Sequence, residues 1–484
     1  MFSICLLGAI VLSLLYWKLV RVPSYLDGIS RAQPWYPVLG NALLLVGKSP
    51  ETFFNAVNAL FAHHNRLFQL WFGPRPVIGV SHPDLVEKVL TSTACLEKPY
   101  FYRFSRVDQG LWAASKTLWQ SQRKAVNAAF STRVLNDFIQ TINECTENLI
   151  SQLTSVDGAE VNVLDYAIPC ALKMVCGTTL GISVTESADV EEFIKSFNSL
   201  AEIVGNRFNT LYLQPDVVYR HTPNFREEMK HREKCYNFTK KILNEKKHQN
   251  SANSSKNSKI FIEHLLDKDL VKRNFSDTEI VQNAYSMIAA GSETTAYTIA
   301  NACLLLALHP DVQNKLHSEI TQIFPDAHPD ISPQSLSSLH ETESFLKELL
   351  RLYPIAPIIA RETGESFELD GVRFPKGTIF LLNFYQLHRR QDLWGADSTR
   401  FNPDRFSGER SKEPQHSFAY LPFSGGPRNC IGHRYAMMTL KIMLVHLLRN
   451  FKLTTSLTME DVKFKFAMLL TLMPEHSIRF ERRN

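Results

Sequence analysis

Apolar residues are distributed along this chain in three different patterns, and each pattern predicts a different element. The first has no period at all. In "MFSICLLGAIVLSLLYWKLV" the run from Phe2 to Trp17 is apolar apart from two serines. As a helix at ~1.5 Å per residue it reaches ~24 Å, just short of a bilayer core, and Leu19 and Val20 lengthen it if Lys18 snorkels. No charge precedes the run and no small-residue cleavage site follows it, which favours an uncleaved anchor over a signal peptide. Lys18, Arg21 and Arg31 come after it and put that side in the cytoplasm. Residues 1–20 are therefore expected to be a membrane anchor. In "RAQPWYPVLGNALLL", Pro34, Pro37 and Gly40 cannot continue a helix, so 21–45 reads as a proline-containing hinge.

"LFQLWFGPRPVIGV" (67–80) reads as two strands around Gly73–Pro76, a hairpin, and "KGTIFLLNF" (376–384) is strand-like. Elsewhere the helical period dominates: 133–153, 188–204 and 224–247 are all amphipathic, and the polar stretch 245–259 reads as a loop. "SDTE" (276–279) matches a capping box, with Ser276 reciprocating Glu279. Apolar positions then run to His309, where Pro310 stops them, a helix of about thirty residues and ~45 Å. Its middle, "AAGSETT" (289–295), is a poor helix sequence. Gly291 costs ~1 kcal/mol against alanine, and Ser and Thr compete for backbone hydrogen bonds. A local opening of the helix at a site is expected there; a packing glycine beside exposed threonines is the plainer alternative.

Composition narrows the class. The chain has 484 residues, 44% hydrophobic and 21% charged, which is globular; length alone suggests two or three domains. A net charge of +5 points to no nucleic-acid partner. Eight thinly spread cysteines contain no CxxC pair, which argues against structural zinc and against a disulfide scaffold. With a cytosolic body, the sequons at Asn237, Asn253 and Asn274 stay unused.

One cysteine stands apart, in "LPFSGGPRNCIGHRYA" (421–436). It could be a core thiol, a nucleophile or a metal ligand. Gly425, Gly426 and Gly432 let backbone approach a flat ligand. Cys430 precedes an amphipathic helix and follows Arg428, and both features favour a thiolate. A nucleophile needs a base and an oxyanion arrangement, and His433, the nearest histidine, points off the axis. A lone soft thiolate suits the axial position of a haem, whose porphyrin supplies four nitrogens.

The motif F-x-x-G-x-R-x-C-x-G is the haem-binding signature of the cytochrome P-450 superfamily, present here as Phe423, Gly426, Arg428, Cys430 and Gly432. "KELLR" supplies E-x-x-R as Glu348 and Arg351, "FNPDRF" supplies Arg405, "AGSETT" matches the long-helix motif, and "WQSQR" gives Trp119 and Arg123. The chain is identified as a member of that superfamily. Its anchor and hinge resemble the microsomal type. "LQPDVVYRHTPNFREEMKHREK" and "ARETGESFELDGVRFPKGT" look closest to the family-4 clan, in the manner of an insect member.

The resemblance implies a mainly α fold with a small β-rich lobe, a long central helix crossing the haem, and one haem domain over 46–484. It implies haem b with Cys430 as iron ligand, and Trp119, Arg123, Arg361 and Arg428 as partners of the haem propionates. His388 is a weaker candidate for that role, a satisfied structural histidine being the alternative. Thr294 is implied to hold a hydrogen-bond network beside bound O2, with Glu293 relaying protons. Glu348, Arg351 and Arg405 are implied to lock the fold. His433, Arg434 and Lys441 stand either on a docking face for an acidic redox partner or on a plain solvated helix face. The substrate pocket is implied to be bounded by Phe101–Trp112, Ala289–Ala290, Ile355–Ile359 and Met468–Leu472, mostly apolar stretches that suit a lipophilic substrate.

Family-4 enzymes commonly carry a glutamate that esterifies haem; Ala290 stands there, so non-covalent haem is expected and terminal fatty-acid hydroxylation does not carry over. The activity implied is a monooxygenase of the endoplasmic reticulum membrane, fed by NADPH-cytochrome P-450 reductase with cytochrome b5 as a further donor. A haem-thiolate isomerase or dehydratase acting on a peroxide, and a haem carrier or sensor, are the alternatives, and the Glu293–Thr294 pair argues against both.

Overall fold

Helix α1 (Pro50–His63) shows how local sequence sets an element: Ser49 accepts the Thr52 amide at its N-terminus, Pro50 occupies the first turn, and Phe54, Val57 and Phe61 form its buried stripe. A computed structural model of the chain describes residues 22–44, 48–182, 188–250, 260–267, 275–326, 329–408, 416–466 and 468–483. The expected anchor at 1–20 lies outside them. Among the described residues no helix is long and apolar enough to cross a membrane.

These residues cluster into two compact units, each threaded from three segments. The first takes in residues up to 99, 356–398 and 414–429. Besides α1 and α2 (Pro83–Thr91) it holds a five-stranded sheet of β1 (Ser30–Arg31), β2 (Leu67–Phe72), β3 (Arg75–Val80), β4 (Ile358–Glu362) and β5 (Ile379–Asn383), in the order β1-β2-β3-β5-β4. The predicted hairpin is the antiparallel β2–β3 pair. It joins the later chain because β3 runs parallel to β5, Val77 opposite Ile379. Ile78, Val80, Val86, Leu90, Phe374, Phe380 and Leu421 form its core.

The second unit covers 100–355, 399–413 and 430–484 and is helical. Its principal helices are α3 (Lys116–Val126), α4 (Ile139–Ser155), α5 (Leu164–Val175), α6 (Ala188–Asn209), α7 (Pro223–Asn250), α8 (Asp277–Leu308), α9 (Pro310–Ile323), α10 (His340–Leu352) and α11 (His433–Asn450). A mainly α architecture with small sheets is thus observed. Two predicted boundaries move. The 133–153 helix breaks at Phe138 into Thr132–Asp137 and α4. Helix α7 runs on to Asn250, so the stretch expected as loop from 245 begins helical.

Helix α8 begins at the predicted capping box: Ser276 Oγ accepts the Glu279 amide at 3.2 Å and Glu279 Oε2 accepts the Ser276 amide at 2.8 Å. It runs 32 residues without a break, so the expected opening at 289–295 is absent. Gly291 has the plainer explanation. A β-carbon there would stand 2.7 Å from Val175 Cγ2, so the glycine lets α5 approach α8.

Candidate functional site

In the first unit the chain ahead of the cysteine folds tightly. Gly426 has φ +70°, and a β-carbon on it would run into the Leu90 carbonyl of α2, so only glycine fits. Gly425 lies against the Phe418 ring, 2.8 Å from a hypothetical β-carbon. Phe423 is half-buried. Arg428 is buried and its Nη1 donates to the Leu96 carbonyl. The 94–97 strip is also stitched to the end of β4: Glu362 N donates to Glu97 O at 2.9 Å, and Gly364 N to Ala94 O at 2.8 Å. Arg361, on β4 beside Glu362, is 2% exposed and its Nη1 donates to Ala360 O at 3.1 Å.

This stitching brings a residue that the sequence reading passed over. Lys98 follows the strip directly, and burial, then the charges of Arg361 and Arg428, pull its pKa well below the ordinary lysine value. Burial and two like charges therefore disfavour the charged form of Lys98 in the protein alone. No spacing motif marks Lys98; its placement depends on pairing between residues far apart in sequence. His388 makes the kind of contact its structural alternative calls for. It is fully buried, and its Nε2 accepts the Leu421 amide at 2.8 Å, which commits that nitrogen to the backbone.

In the second unit the Cys430 side chain is accessible, three residues ahead of α11. Burial among surrounding atoms pushes its thiol pKa up, while the Gly432 amide and the Arg123 charge pull it down. A backbone amide and an arginine charge thus favour the thiolate, the charge coming from Arg123 and not from the expected Arg428, but in the protein alone desolvation outweighs them. A metal cation at sulfur reverses that balance, because a coordinating thiol is deprotonated outright. His433 Nδ1 hydrogen-bonds to the Cys430 carbonyl at 3.2 Å. Trp119 is buried on α3, and Arg123, one turn further, donates from Nε to Asn127 Oδ1 at 2.9 Å. Burial lowers the Arg123 pKa and the nearby Cys430 opposes that shift.

The expected docking trio separates. Arg434 is exposed and His433 half-buried. Lys441 is buried, its Nζ donating to Leu336 O and to Glu343 Oε2, both at 2.9 Å, so it is an internal brace and no docking residue.

On α8, Thr294 Oγ1 donates back to Ala290 O at 2.6 Å, as Ser292 does to Ile288 and Thr298 to Thr294. These back-bonds keep the hydroxyl-rich stretch helical despite its composition. Glu293 is half-buried, and burial pushes its carboxyl up to about 7. Its charge is felt by Tyr285 and Tyr297, one on each side along the helix. Ala290 is exposed and offers no oxygen.

Glu348, Arg351 and Arg405 form a closed, buried network in this unit. Arg351 grips Glu348 with two bonds, Nε to Oε2 at 2.7 Å and Nη2 to Oε1 at 2.8 Å, and Arg405 Nε stands 3.6 Å from Oε1. The Asn402 amide donates to the same oxygen at 2.9 Å.

The donor set fits a haem. A lone soft sulfur stands beside Gly432, where a β-carbon would meet nothing within 4 Å, so packing does not account for that glycine. Comparison with known proteins agrees. The cytochrome P450 family model matches residues 31–480. The chain is 28% identical to cytochrome P450 4c21 of Blattella germanica over 93% of each protein. It is 30% identical to probable cytochrome P450 313b1 of Drosophila melanogaster over 99% of each. Identity to cytochrome P450 4V2 of Homo sapiens is 29%, over 100% of this chain and 95% of the human protein. Family-4 names recur among these relatives, insect and human at similar identity.

Proposed function

The chain belongs to the cytochrome P450 family, and from that premise we propose a haem-thiolate monooxygenase of the endoplasmic reticulum membrane that acts on a lipophilic substrate. Cys430 is the iron ligand in this reading. Trp119, Arg123, Arg361 and Arg428 hold the haem carboxylates, and Phe423, Gly426 and Gly432 shape the loop around it. Residues 46–484 act as one catalytic domain, behind the hinge at 21–45 and the anchor at 1–20. Bound haem supplies O2 binding and reductive O–O cleavage. Electrons come from NADPH through NADPH-cytochrome P-450 reductase, with cytochrome b5 as a further donor.

The protein's part is proton handling and exclusion of water. The Thr294 hydroxyl, lent to Ala290 O, is the proton-bearing group that can turn toward a ligand on the open side of the helix. Glu293, titrating near neutrality, exchanges protons with solvent and passes them on. With alanine at 290, haem is held without an ester. The exposed apolar side chains of Tyr36, Val38, Leu39 and Leu43, shortly after the anchor, support a membrane location.

The carrying observation is an exposed Cys430 ahead of α11 whose thiol feels the Gly432 amide and the Arg123 charge. Cys430→Ser tests it: the red-shifted ferrous–CO band of a thiolate-ligated haem should vanish, and its survival would remove Cys430 from the role. NADPH-dependent turnover separates a monooxygenase from the isomerase alternative, which needs no electrons.

A further inference from the structure

We propose that a groove in the first unit, between the end of α1 and the turn at 383–392, binds a hydroxyl-rich phosphodiester, the chemistry of a phosphoinositol headgroup.

The groove is preformed. It has a volume of about 540 Å³ and shares no residue with the haem site above. Arg390 fixes one wall: its Nη1 donates to Ser81 O at 3.1 Å and to Asn65 O at 3.4 Å, while Nε and Nη2 grip Asp392 at 3.0 and 2.6 Å. Asn383 fixes another, its Nδ2 donating to Asn58 Oδ1 at 2.8 Å and its Oδ1 accepting the Gln386 amide at 3.0 Å. Walls held in this way need little ordering when a ligand enters.

The lining sets the chemistry. Ser81 is 7% exposed, and its hydroxyl has no hydrogen-bond partner among the described residues. Such a group costs free energy that a ligand oxygen offsets. Asn65, Gln386 and Gln391 add carboxamides, which both donate and accept, as ligand hydroxyls do. Phe61 and Leu387 add buried apolar surface for the face of a ring. The charged lining is two arginines and one aspartate, a net of +1. Arg389 Cζ lies 3.5 Å from the Tyr385 ring centroid and Nη1 donates to Tyr385 O at 3.2 Å, which holds the guanidinium in place. A guanidinium fork matches phosphate oxygens, and a diester carries the single negative charge that balances this lining. The same unit exposes Tyr36, Val38, Leu39 and Leu43. The choice of a phosphodiester over another hydroxylated monoanion rests on the membrane reading above, since a bilayer surface presents that group.

The full-chain holoprotein in detergent is titrated with soluble glycerophosphoinositol. Saturable binding is expected, with hydrogen exchange slowed at 61–65 and 383–392. Ser81→Ala should weaken binding about fivefold, the worth of one hydrogen bond, and Arg389→Gln by about tenfold or more, both with an unchanged melting temperature. Should Arg389→Gln unfold, Ser81→Ala and a fall of affinity with added salt decide instead. Inositol, which lacks the charge, and methyl glucuronide, which carries a carboxylate, should bind more weakly. Nanodiscs with and without phosphatidylinositol separate the sources. Protection of the same segments by the lipid marks a membrane ligand, and protection by the soluble compound alone marks a free ester. No saturable binding and no protection in either arm, or affinities unchanged in both variants, overturn the site. Inositol or methyl glucuronide binding as tightly as the diester overturns the phosphate. Flotation of the full chain with plain phosphatidylcholine vesicles tests the membrane reading by itself; its failure would overturn that reading while the soluble titration still judges the groove.

Discussion

Glu293 is the residue whose chemistry depends most on its surroundings. An exposed glutamate is ionised at neutral pH; here burial lifts the carboxyl to about 7, so both forms coexist where the enzyme works. Only the protonated form can deliver a proton. Product formed per NADPH consumed should therefore fall as pH rises through about 7, and Glu293→Gln should lower the ratio and abolish that inflection. A profile unchanged by the substitution would assign the relay elsewhere. Thr294→Ala should keep the ferrous–CO band yet cut the same ratio several-fold, the electrons leaving as peroxide or superoxide; an unaltered ratio would remove the hydroxyl from the mechanism. Both residues were legible as types in "AGSETT". What the sequence hid was the hydrogen bond from Thr294 to Ala290 O, which keeps the helix regular where an opening was expected. Lys98 was hidden more thoroughly, because its neighbours come from residues 361 and 428.

At the scale of the element, ends were easier to read than interiors. The capping box at Ser276 and the stop at Pro310 delimit α8 because capping is chemistry between near neighbours. The break at Phe138 and the extension of α7 to Asn250 escaped the periodicity, which carries no information about where a helix bends against another. Gly291 shows the difference. Its sequence cost suggested a site, yet its neighbour is Val175 of α5, 2.7 Å from where a β-carbon would sit. Gly291→Ala gains ~1 kcal/mol of helix propensity and loses ~1–3 kcal/mol to overpacking. A net loss is expected, read as a melting temperature lowered by a few degrees. Val175→Ala in the same chain should recover part of the loss, since it removes the atom in the way. A stabilised single variant would mean that the two helices part freely and that the glycine has another purpose.

At the scale of the whole molecule the chain order and the spatial order diverge. Each unit is assembled from three separate segments, which no local pattern announces. The buried network in the second unit shows what joins such segments. E-x-x-R alone is an ordinary helical ion pair. Its meaning comes from Arg405 and the Asn402 amide, brought from beyond the first unit's 356–398 segment to the same Glu348 oxygen. All three side chains are buried, so desolvation is offset only while every partner is present. Glu348→Gln leaves two guanidinium groups facing a neutral amide inside the protein. Breaking a buried pair from one side typically costs about 3–5 kcal/mol, a large share of the stability of any domain. The variant is expected to accumulate poorly, to bind little haem, and to unfold at markedly lower denaturant than wild type. Arg351→Lys, which keeps the charge but forfeits the paired grip, should fall between the two. If Glu348→Gln folds and retains haem like wild type, the network is no lock, and the segments must be held by the apolar packing around it.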